Sequence, residues 1–224
     1  MNSPSNKCVI TCDIKGSRAF SPEEWRIIQR KIKTALMEIN TRYRSDLMRN
    51  LTITLDDEFQ GVLHSPAKSY DVFVRLQERI PVEFRCGIGI GKIEVVSSEI
   101  TEMRGESFFR SREALESAKK FEYPVIVKSS DVMNNLVDET INAILSLIAT
   151  IQSTWTERQR EVVTFCRVHG DYTYSDIARE LNVSKQSISQ VLNAAHWQAV
   201  QNGEQAIRRL LKELPTELND AAKE

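Results

Sequence analysis

The sequence KCVITCDI, at Lys7–Ile14, is the segment that decides the fold of this chain. Its residues are apolar or β-branched on both alternating faces, a pattern typical of a central strand that is covered on both sides. Ser21, Pro22 and Glu24 follow as the N-cap, the first helical residue and the capping-box partner of a helix. The segment therefore predicts a buried strand that leads into an amphipathic helix.

Strand and helix patterns alternate after this first pair of elements. Strands are predicted at residues 51–55, 59–63, 84–96 and 123–127, and helices at residues 66–79 and 107–120. The first six elements of the resulting order, β-α-β-β-α-β-α-β, form the ferredoxin-like split βαβ arrangement. We therefore expect an α+β domain over residues 1–130, in which helices pack on one sheet.

The glycine run GIGIG, at residues 87–91, lies inside the predicted strand 84–96. It lacks the spacing of the dinucleotide-binding fingerprint, and no helix follows it directly. We interpret it as a bulged strand whose glycines allow another backbone to pack closely.

A long apolar helix is predicted at residues 131–152, in a connector that spans residues 131–154. One broad face of this helix carries Leu136, Val137, Ile141, Ile144, Leu145, Ile148 and Ile151. The face fits either a connector packed on its own domain or a dimer seam, and it is shorter than a sustained coiled coil requires. Both interpretations stay open.

The third predicted segment, residues 155–224, contains YSDIARELNVSKQSISQVLN at residues 174–193. Ala178 is small where two helices would cross, Asn182 suits a left-handed turn, and Ser184 suits the N-cap of a second helix. The pattern resembles the helix-turn-helix of bacterial repressors and sigma factors, which predicts an all-α DNA-binding domain. A structural helical hairpin is the alternative. The residues expected to reach base edges or phosphates are Ser184, Lys185, Gln186, Ser187, Ser189 and Gln190.

A last helix is predicted at residues 197–214, with an interruption near Asn202 and Gly203. Its apolar residues are expected to pack against the preceding helices. Pro215 is expected to end it, because proline cannot continue a helical hydrogen-bond ladder.

Charge limits how this chain could bind DNA. The 224 residues include 30 Lys and Arg against 31 Asp and Glu, a net charge of −1. Residues 155–214 carry eight bases and seven acids. Because affinity for DNA comes largely from bases that neutralise phosphates, one such domain should bind weakly. We therefore expect a homodimer on double-stranded DNA.

Composition also bears on compartment and on metal binding. No apolar run reaches the roughly 18 residues of a membrane span, so no membrane association is expected and the location is predicted to be cytoplasmic. The four cysteines are expected to stay reduced, and their spacing to the three histidines does not suggest a zinc site.

Two aspartates are predicted to meet at one edge of the sheet. Asp13 ends the first strand, Asp57 lies in the turn between the second and third strands, and strands one and three are neighbours in a split βαβ sheet. Two such carboxylates could bind Mg²⁺. Alternatively, acids simply favour turns, or Lys15, Arg18 and Lys92 form plain salt bridges with them.

Four blocks of sequence then point to a known family. They are CDIKGS at residues 12–17, TITLDDEFQGVL at 52–63, CGIGIGKI at 86–93 and RGESFFRSREALESAKK at 104–120. These blocks resemble, in this order, parts of class III nucleotidyl cyclases and GGDEF diguanylate cyclases, and the set as a whole is most similar to the SatD family. The resemblance implies Mg²⁺ with a nucleotide as ligand. The matching positions would place the metal at Asp13 and Asp57 and the nucleotide at Lys15, Gly16, Ser17, Asp56 and Lys92.

The same resemblance argues against catalysis. Where cyclases carry an Asn and an Arg that stabilise transferred charge, this chain has Phe109 and Glu113. Phe109 cannot donate a hydrogen bond, Glu113 would repel a triphosphate, and Asp56 occupies the position of a GGDEF glycine. We therefore expect a DNA-binding transcriptional regulator, whose degenerate cyclase-like domain senses a ligand or mediates dimerisation. An active nucleotidyl cyclase with a DNA-binding tail and a protein-interaction scaffold are the alternatives.

Overall fold

The protein is described from a computed structural model, which covers residues 6–94, 100–130 and 135–214. The chain divides into two compact units. We call the first the sheet unit, formed by the described residues of Met1–Ala143 and Ile207–Glu224. The second, the helical unit, is Ile144–Ala206. No helix in the described residues is both long enough and apolar enough to cross a membrane.

The elements of the sheet unit confirm the predicted alternation. In chain order they are β1 (Lys7–Ile14), α1 (Pro22–Arg42), β2 (Leu47–Ile53), β3 (Glu58–Leu63), α2 (Ser69–Arg79), β4 (Phe84–Gly91), α3 (Glu106–Lys120) and β5 (Val125–Lys128). The predicted capping box at the start of α1 is present, because Ser21 and Glu24 each bond the backbone of the other. Single 3₁₀ turns lie at Ser17–Ala19, Pro66–Lys68 and Ile100–Glu102.

In residues 135–214, five helices follow the sheet. They are α4 (Leu136–Ser153), α5 (Glu157–Val168), α6 (Tyr174–Glu180), α7 (Lys185–Ala194) and α8 (Trp197–Glu213). Within the helical unit, the indole N–H of Trp155 donates a 2.8 Å hydrogen bond to the carbonyl oxygen of Ala195. This buried bond ties the start of α5 to the end of α7.

The sheet is mixed, with the strand order β2-β3-β1-β4-β5. β1 pairs antiparallel with both β3 and β4, β2 pairs antiparallel with β3, and β5 is parallel to β4. The α+β class is therefore confirmed, and so is the expected contact between the first and third strands. Since β1 is central, almost all of its residues are buried, as its unbroken apolar pattern predicted.

The glycines of β4 allow α3 to lie directly on the strand. A Cβ atom at Gly87 would come within 2.1 Å of the Ser111 carbonyl oxygen, and one at Gly89 within 2.2 Å of the Ser107 carbonyl oxygen. Close backbone packing, the interpretation preferred for the glycine run, is therefore what the structure shows. The pairing of β4 with β1 runs from Gly91 to Phe84 without a register shift, so the expected bulge is wrong for these residues.

The expected interruption of the last helix is also wrong, because α8 runs unbroken through Asn202 and Gly203. Gly203 faces α4, where an added Cβ would come within 3.1 Å of both Ile144 and Ile148. Close helix packing therefore explains the glycine better than a break does. The start of the predicted connector at residues 131–134, the predicted strand end at 95–96 and the tail at 215–224 lie outside the described residues.

The apolar face of α4 is largely covered by the chain itself. Ile141, Leu145 and Ile148 are buried, while Leu136, at the start of the helix, is 75% exposed. The inner residues of this face are therefore packed within the chain, and the choice between connector and dimer seam stays a prediction.

Candidate functional site

Asp13 and Asp57 meet at the edge of the sheet where β1 ends. Asp13 lies opposite Glu58 in the β1–β3 pairing, and the backbone N–H of Ile14 donates to the Asp57 carbonyl oxygen at 2.9 Å. Strand pairing thus brings together Asp13, Asp57 and Glu58, which we call the carboxylate cluster.

Each member of the carboxylate cluster is bound by a group of the protein. The ammonium of Lys119 donates to the Asp13 carboxylate at 3.0 Å, and the hydroxyl of Ser17 donates to the Asp57 carboxylate at 2.6 Å. Arg112 binds both carboxylate oxygens of Glu58 through its two terminal nitrogens. Glu58 is almost fully buried, so this bidentate pair offsets the cost of removing its charge from water.

Burial and the charge of Lys119 shift the pKa of Asp13 in opposite directions. Desolvation is the largest effect and raises the pKa of its carboxyl group, whereas the hydrogen bond and the positive charge of Lys119 lower it. The neighbouring charges of Asp57 and Glu58 raise the pKa again, and the net result is above the ordinary value for aspartate.

The cluster does not fit a magnesium ion in this arrangement. Mg²⁺ needs several oxygen ligands at about 2.1 Å, but Lys119 occupies Asp13 and Arg112 occupies Glu58. Across residues 6–94, 100–130 and 135–214, no three His, Cys, Asp or Glu side chains are arranged to hold a metal ion. The positive charge that neutralises this site comes instead from α3.

The residues predicted to bind a nucleotide do not all gather here. Gly16 has a left-handed backbone (φ 68°) that turns the chain, so that Ser17 reaches Asp57. Lys15 points to Glu83 and Glu122, at 3.5 and 3.1 Å.

Asp56 and Lys92 complete that predicted set. Asp56 is exposed beside the cluster. Lys92 follows the end of β4 that pairs with Lys7, at the start of β1, and therefore lies at the opposite end of the sheet from Asp13. A phosphate held near Asp13 would accordingly not meet Lys92.

Phe109 and Glu113, the two residues that the sequence resemblance aligned with the Asn and Arg of cyclases, lie on α3. Phe109 is 61% exposed, and the carboxylate of Glu113 forms an ion pair with Lys128 in β5. Neither side chain offers a free hydrogen-bond donor to a phosphate group.

A second candidate surface lies in the helical unit, where a tight turn joins α6 to α7. Asn182 adopts the left-handed conformation (φ 51°), and the N–H of Val183 donates to the Ala178 carbonyl oxygen at 2.9 Å. The Ser184 hydroxyl accepts from the N–H of Ser187 at 3.0 Å and so caps α7. The turn residue and the cap are thus as the sequence predicted.

The outer side of α7 is polar and open to solvent. Ile188 and Leu192 are buried on the inner side. The predicted contact residues divide into exposed Ser184, Lys185, Gln186 and Gln190 and half-buried Ser187 and Ser189. Among the residues that the structure describes, Lys185 has no ion-pair partner, unlike Arg158, Arg167 and Arg179. Its charge is therefore available to an external anion.

A sequence model of the SatD family matches residues 8–210. The chain belongs to the SatD family. The match covers both the carboxylate cluster and α7, and it confirms the resemblance that the four sequence blocks indicated.

Other comparisons of this SatD-family chain give weaker similarities. No curated protein sequence matches it. A bacterial light-regulated adenylyl cyclase is 12% identical, with 55% of this chain and 75% of that chain covered and a TM-score of 0.42. The guanylate cyclase domain of RhGC from Catenaria anguillulae, in complex with GTP, is 13% identical, with coverage of 52% and 75% and a TM-score of 0.40. The adenylyl cyclase CyaB from P. aeruginosa is 15% identical, with coverage of 51% and 72% and a TM-score of 0.39.

Three residues at the carboxylate cluster were not among the predicted site residues: its member Glu58 and the bases Arg112 and Lys119, which bind it. Glu58 was assigned to the turn, and the structure makes it the first residue of β3. Arg112 and Lys119 are seven residues apart, two helical turns along one side of α3, which is a signal that could have identified both as bases facing the sheet.

Proposed function

We propose that this SatD-family protein is a DNA-binding transcriptional regulator that reads duplex DNA with α7. The observation that carries the proposal is the geometry around the α6–α7 turn. A left-handed Asn182, a Ser184 cap and a buried Ile188 fix α7 so that its polar side faces solvent. This is the geometry that a helix needs to enter the major groove.

The side chains of α7 have the chemistry for base recognition. Gln186 and Gln190 are exposed and lie four residues apart, on one side of the helix. A glutamine amide can pair bidentately with adenine, and Lys185 can contact guanine or a phosphate. A helix exposed only for solubility would more often carry Glu and Lys pairs.

The small net charge of the helical unit implies that two copies bind DNA together. The helical unit carries five Lys or Arg and six Asp or Glu, so one copy gains little affinity from phosphates. A homodimer would double the contacts and would prefer a two-fold symmetric site, with half-sites about one helical turn apart.

The proposed role of the sheet unit is regulatory rather than catalytic. Phe109 and Glu113 stand where a cyclase needs hydrogen-bond donors, and Lys119 and Arg112 already neutralise the carboxylate cluster. A ligand that competes for these bases, or a dimer contact, would give this unit a sensing role. Formation of a cyclic nucleotide from ATP or GTP by the purified protein would favour the alternative of an active cyclase.

The test begins by selecting a binding site from random duplex DNA with the full-length chain. Replacing Lys185 and Gln186 together by Ala should weaken binding to that site by about 1–3 kcal/mol per lost base contact. The matched control is Gln205→Ala, an exposed glutamine on α8. Unchanged affinity in the α7 variant, or failure to select any site, would refute the proposal.

Assembly is measured separately by light scattering on the protein alone and on the selected DNA. A dimer of the 25.6 kDa chain on a symmetric site is expected. A monomer at tens of micromolar, both free and on DNA, would refute the proposed dimer. DNA binding by α7 would then be tested only by the Lys185 and Gln186 variant.

A further inference from the structure

A groove of about 870 Å³ runs along the sheet unit between α1 and β2. Leu36, Met37 and Asn40 form its helix wall, and Leu51, Ile53 and Leu55 form its strand wall. Met37 is 70% exposed and Leu55 is 61% exposed, so both walls present apolar surface to solvent. The volume lies within the range of sites that bind small molecules or peptide side chains.

The floor of the groove is the free edge of the sheet, because β2 is the outermost strand. The side-chain amide of Asn40 occupies part of this edge. It donates to the Leu51 carbonyl oxygen at 2.9 Å and accepts from the Leu51 N–H at 2.8 Å. These are the two bonds that a neighbouring strand would make, so Asn40 marks the direction in which the edge is open.

Ile53 is the next residue whose backbone faces outward. Outward-facing residues alternate along an antiparallel edge strand, so Ile53 follows Leu51 in this respect. Thr54, in contrast, directs its N–H inward to Glu58, at 2.9 Å. Since Leu51 bonds Asn40 and Thr54 bonds β3, the N–H and the C=O of Ile53, which lies between them, point away from β3. A strand added here would satisfy both.

The charged residues of α1 beside the groove indicate which kind of peptide strand would bind there. Lys33 lines the groove, and Arg26 and Arg30 precede it at seven- and three-residue spacing, which places them on the same side of α1; all three are exposed. Within the described residues none of them forms an ion pair. Two acids, Glu23 at the helix start and Asp56 at the hairpin end, leave the rim with a positive excess. A second copy of this chain would bring the same positive rim against it.

We propose that this groove binds an extended peptide segment of a partner protein, in which the residues that face α1, every second one, are an apolar residue followed by acidic ones. The peptide backbone pairs with Ile53, so that every second side chain faces α1. The first of these, apolar, enters between Met37 and Leu55, and the next two, acidic, face Lys33 and Arg30. This is strand addition to an open sheet edge, in which backbone bonds supply affinity and side-chain contacts supply selectivity. The site is separate from α7 and does not depend on DNA binding.

The test uses two synthetic capped peptides, VTDTDT and VTKTKT, which place Val and the charged residues on the same face, and the isotope-labelled full-length chain. The acidic peptide should shift the amide signals of Ile53 and its neighbours in ¹H–¹⁵N spectra, and the basic peptide should not. Ile53→Pro removes the outward N–H but leaves the bonds to β3, because proline is tolerated on the open side of an edge strand. It should weaken the acidic peptide about fivefold, as expected for one lost hydrogen bond.

Matched variants test the role of charge and guard against misfolding of the Ile53→Pro variant. Lys33→Gln should weaken the acidic peptide about two- to threefold at low salt, whereas Lys31→Gln, outside the groove on the same helix, should not. If Ile53→Pro fails to fold, Met37→Glu tests the same groove through an exposed helical position. Equal binding of both peptides, shifts away from β2, or groove shifts caused by self-association would overturn the proposal.

Discussion

The side-chain amide of Asn142, in α4, forms two hydrogen bonds with the backbone of Val127, in β5. It accepts from the Val127 N–H and donates to the Val127 carbonyl oxygen, both at 2.8 Å. Asn40 forms the same pair of bonds with Leu51 on the opposite edge strand, β2. One asparagine therefore covers part of each open edge of the sheet, where unpaired backbone would otherwise invite association.

Asn142→Ala should destabilise the protein by about 2–3 kcal/mol, because the buried N–H and C=O of Val127 both lose their partner. Chemical denaturation measures the change in the free energy of unfolding. Glu139→Ala, an exposed position on the same helix, is the control and should change it by less than about 0.5 kcal/mol. Equal effects in the two variants would show that the amide bonds do not hold α4 to the sheet.

Gly89→Ala should cost about 3 kcal/mol or more. The added Cβ would lie 2.2 Å from both the Ser107 oxygen and the Ser111 nitrogen, which are backbone atoms, so α3 would have to move away from β4. Gly170→Ala is the matched control, since nothing lies within 4 Å of its added Cβ. Thermal unfolding of the two variants gives the comparison, and a stable Gly89→Ala protein would contradict the close packing.

Glu204→Ala should destabilise the helical unit by about 3 kcal/mol, because it strands Arg167 without its anion. Glu204 is 3% exposed, and the Nε of Arg167 is already buried without a partner. Replacing both residues by apolar ones, Arg167→Met with Glu204→Leu, should recover much of that loss. If the double variant were as unstable as Glu204→Ala, the ion pair would not be the cause.

Lys119→Met should raise the pKa of Asp13 further, because it removes the cation that lowers it. Since the pKa of folded Asp13 is already above that of the unfolded chain, folding takes up a proton there. The contribution of Asp13 to stability is therefore most favourable at low pH and declines as pH rises through the folded pKa. Carboxyl ¹³C NMR titration measures both proteins, with Asp176, whose pKa is lowered, as the internal reference. If the pKa of Asp13 were unchanged in the Lys119→Met variant, Lys119 would not be the group that lowers it.

Local patterns in the sequence were sufficient for most individual elements. The unbroken apolar run of β1, the Ser21 capping box and the Asn182 turn each depend on residues close together in the chain. Such signals are short-range, because backbone conformation and helix capping are decided within a few residues. The meeting of Asp13 with Asp57 also followed from strand order, since strand pairing fixes which loops share an edge.

The tertiary structure decided how those elements are used. Lys119 is 106 positions from Asp13, and only the docking of α3 on the glycines of β4 brings its ammonium to that carboxylate. Gly203 looked like a helix break, yet it lies within a continuous helix because its missing side chain makes room for α4. Local sequence was thus sufficient for the order of the strands and helices and for the caps of α1 and α7, but not for every boundary. The partners of the charged groups depended on long-range packing, which no local pattern encodes.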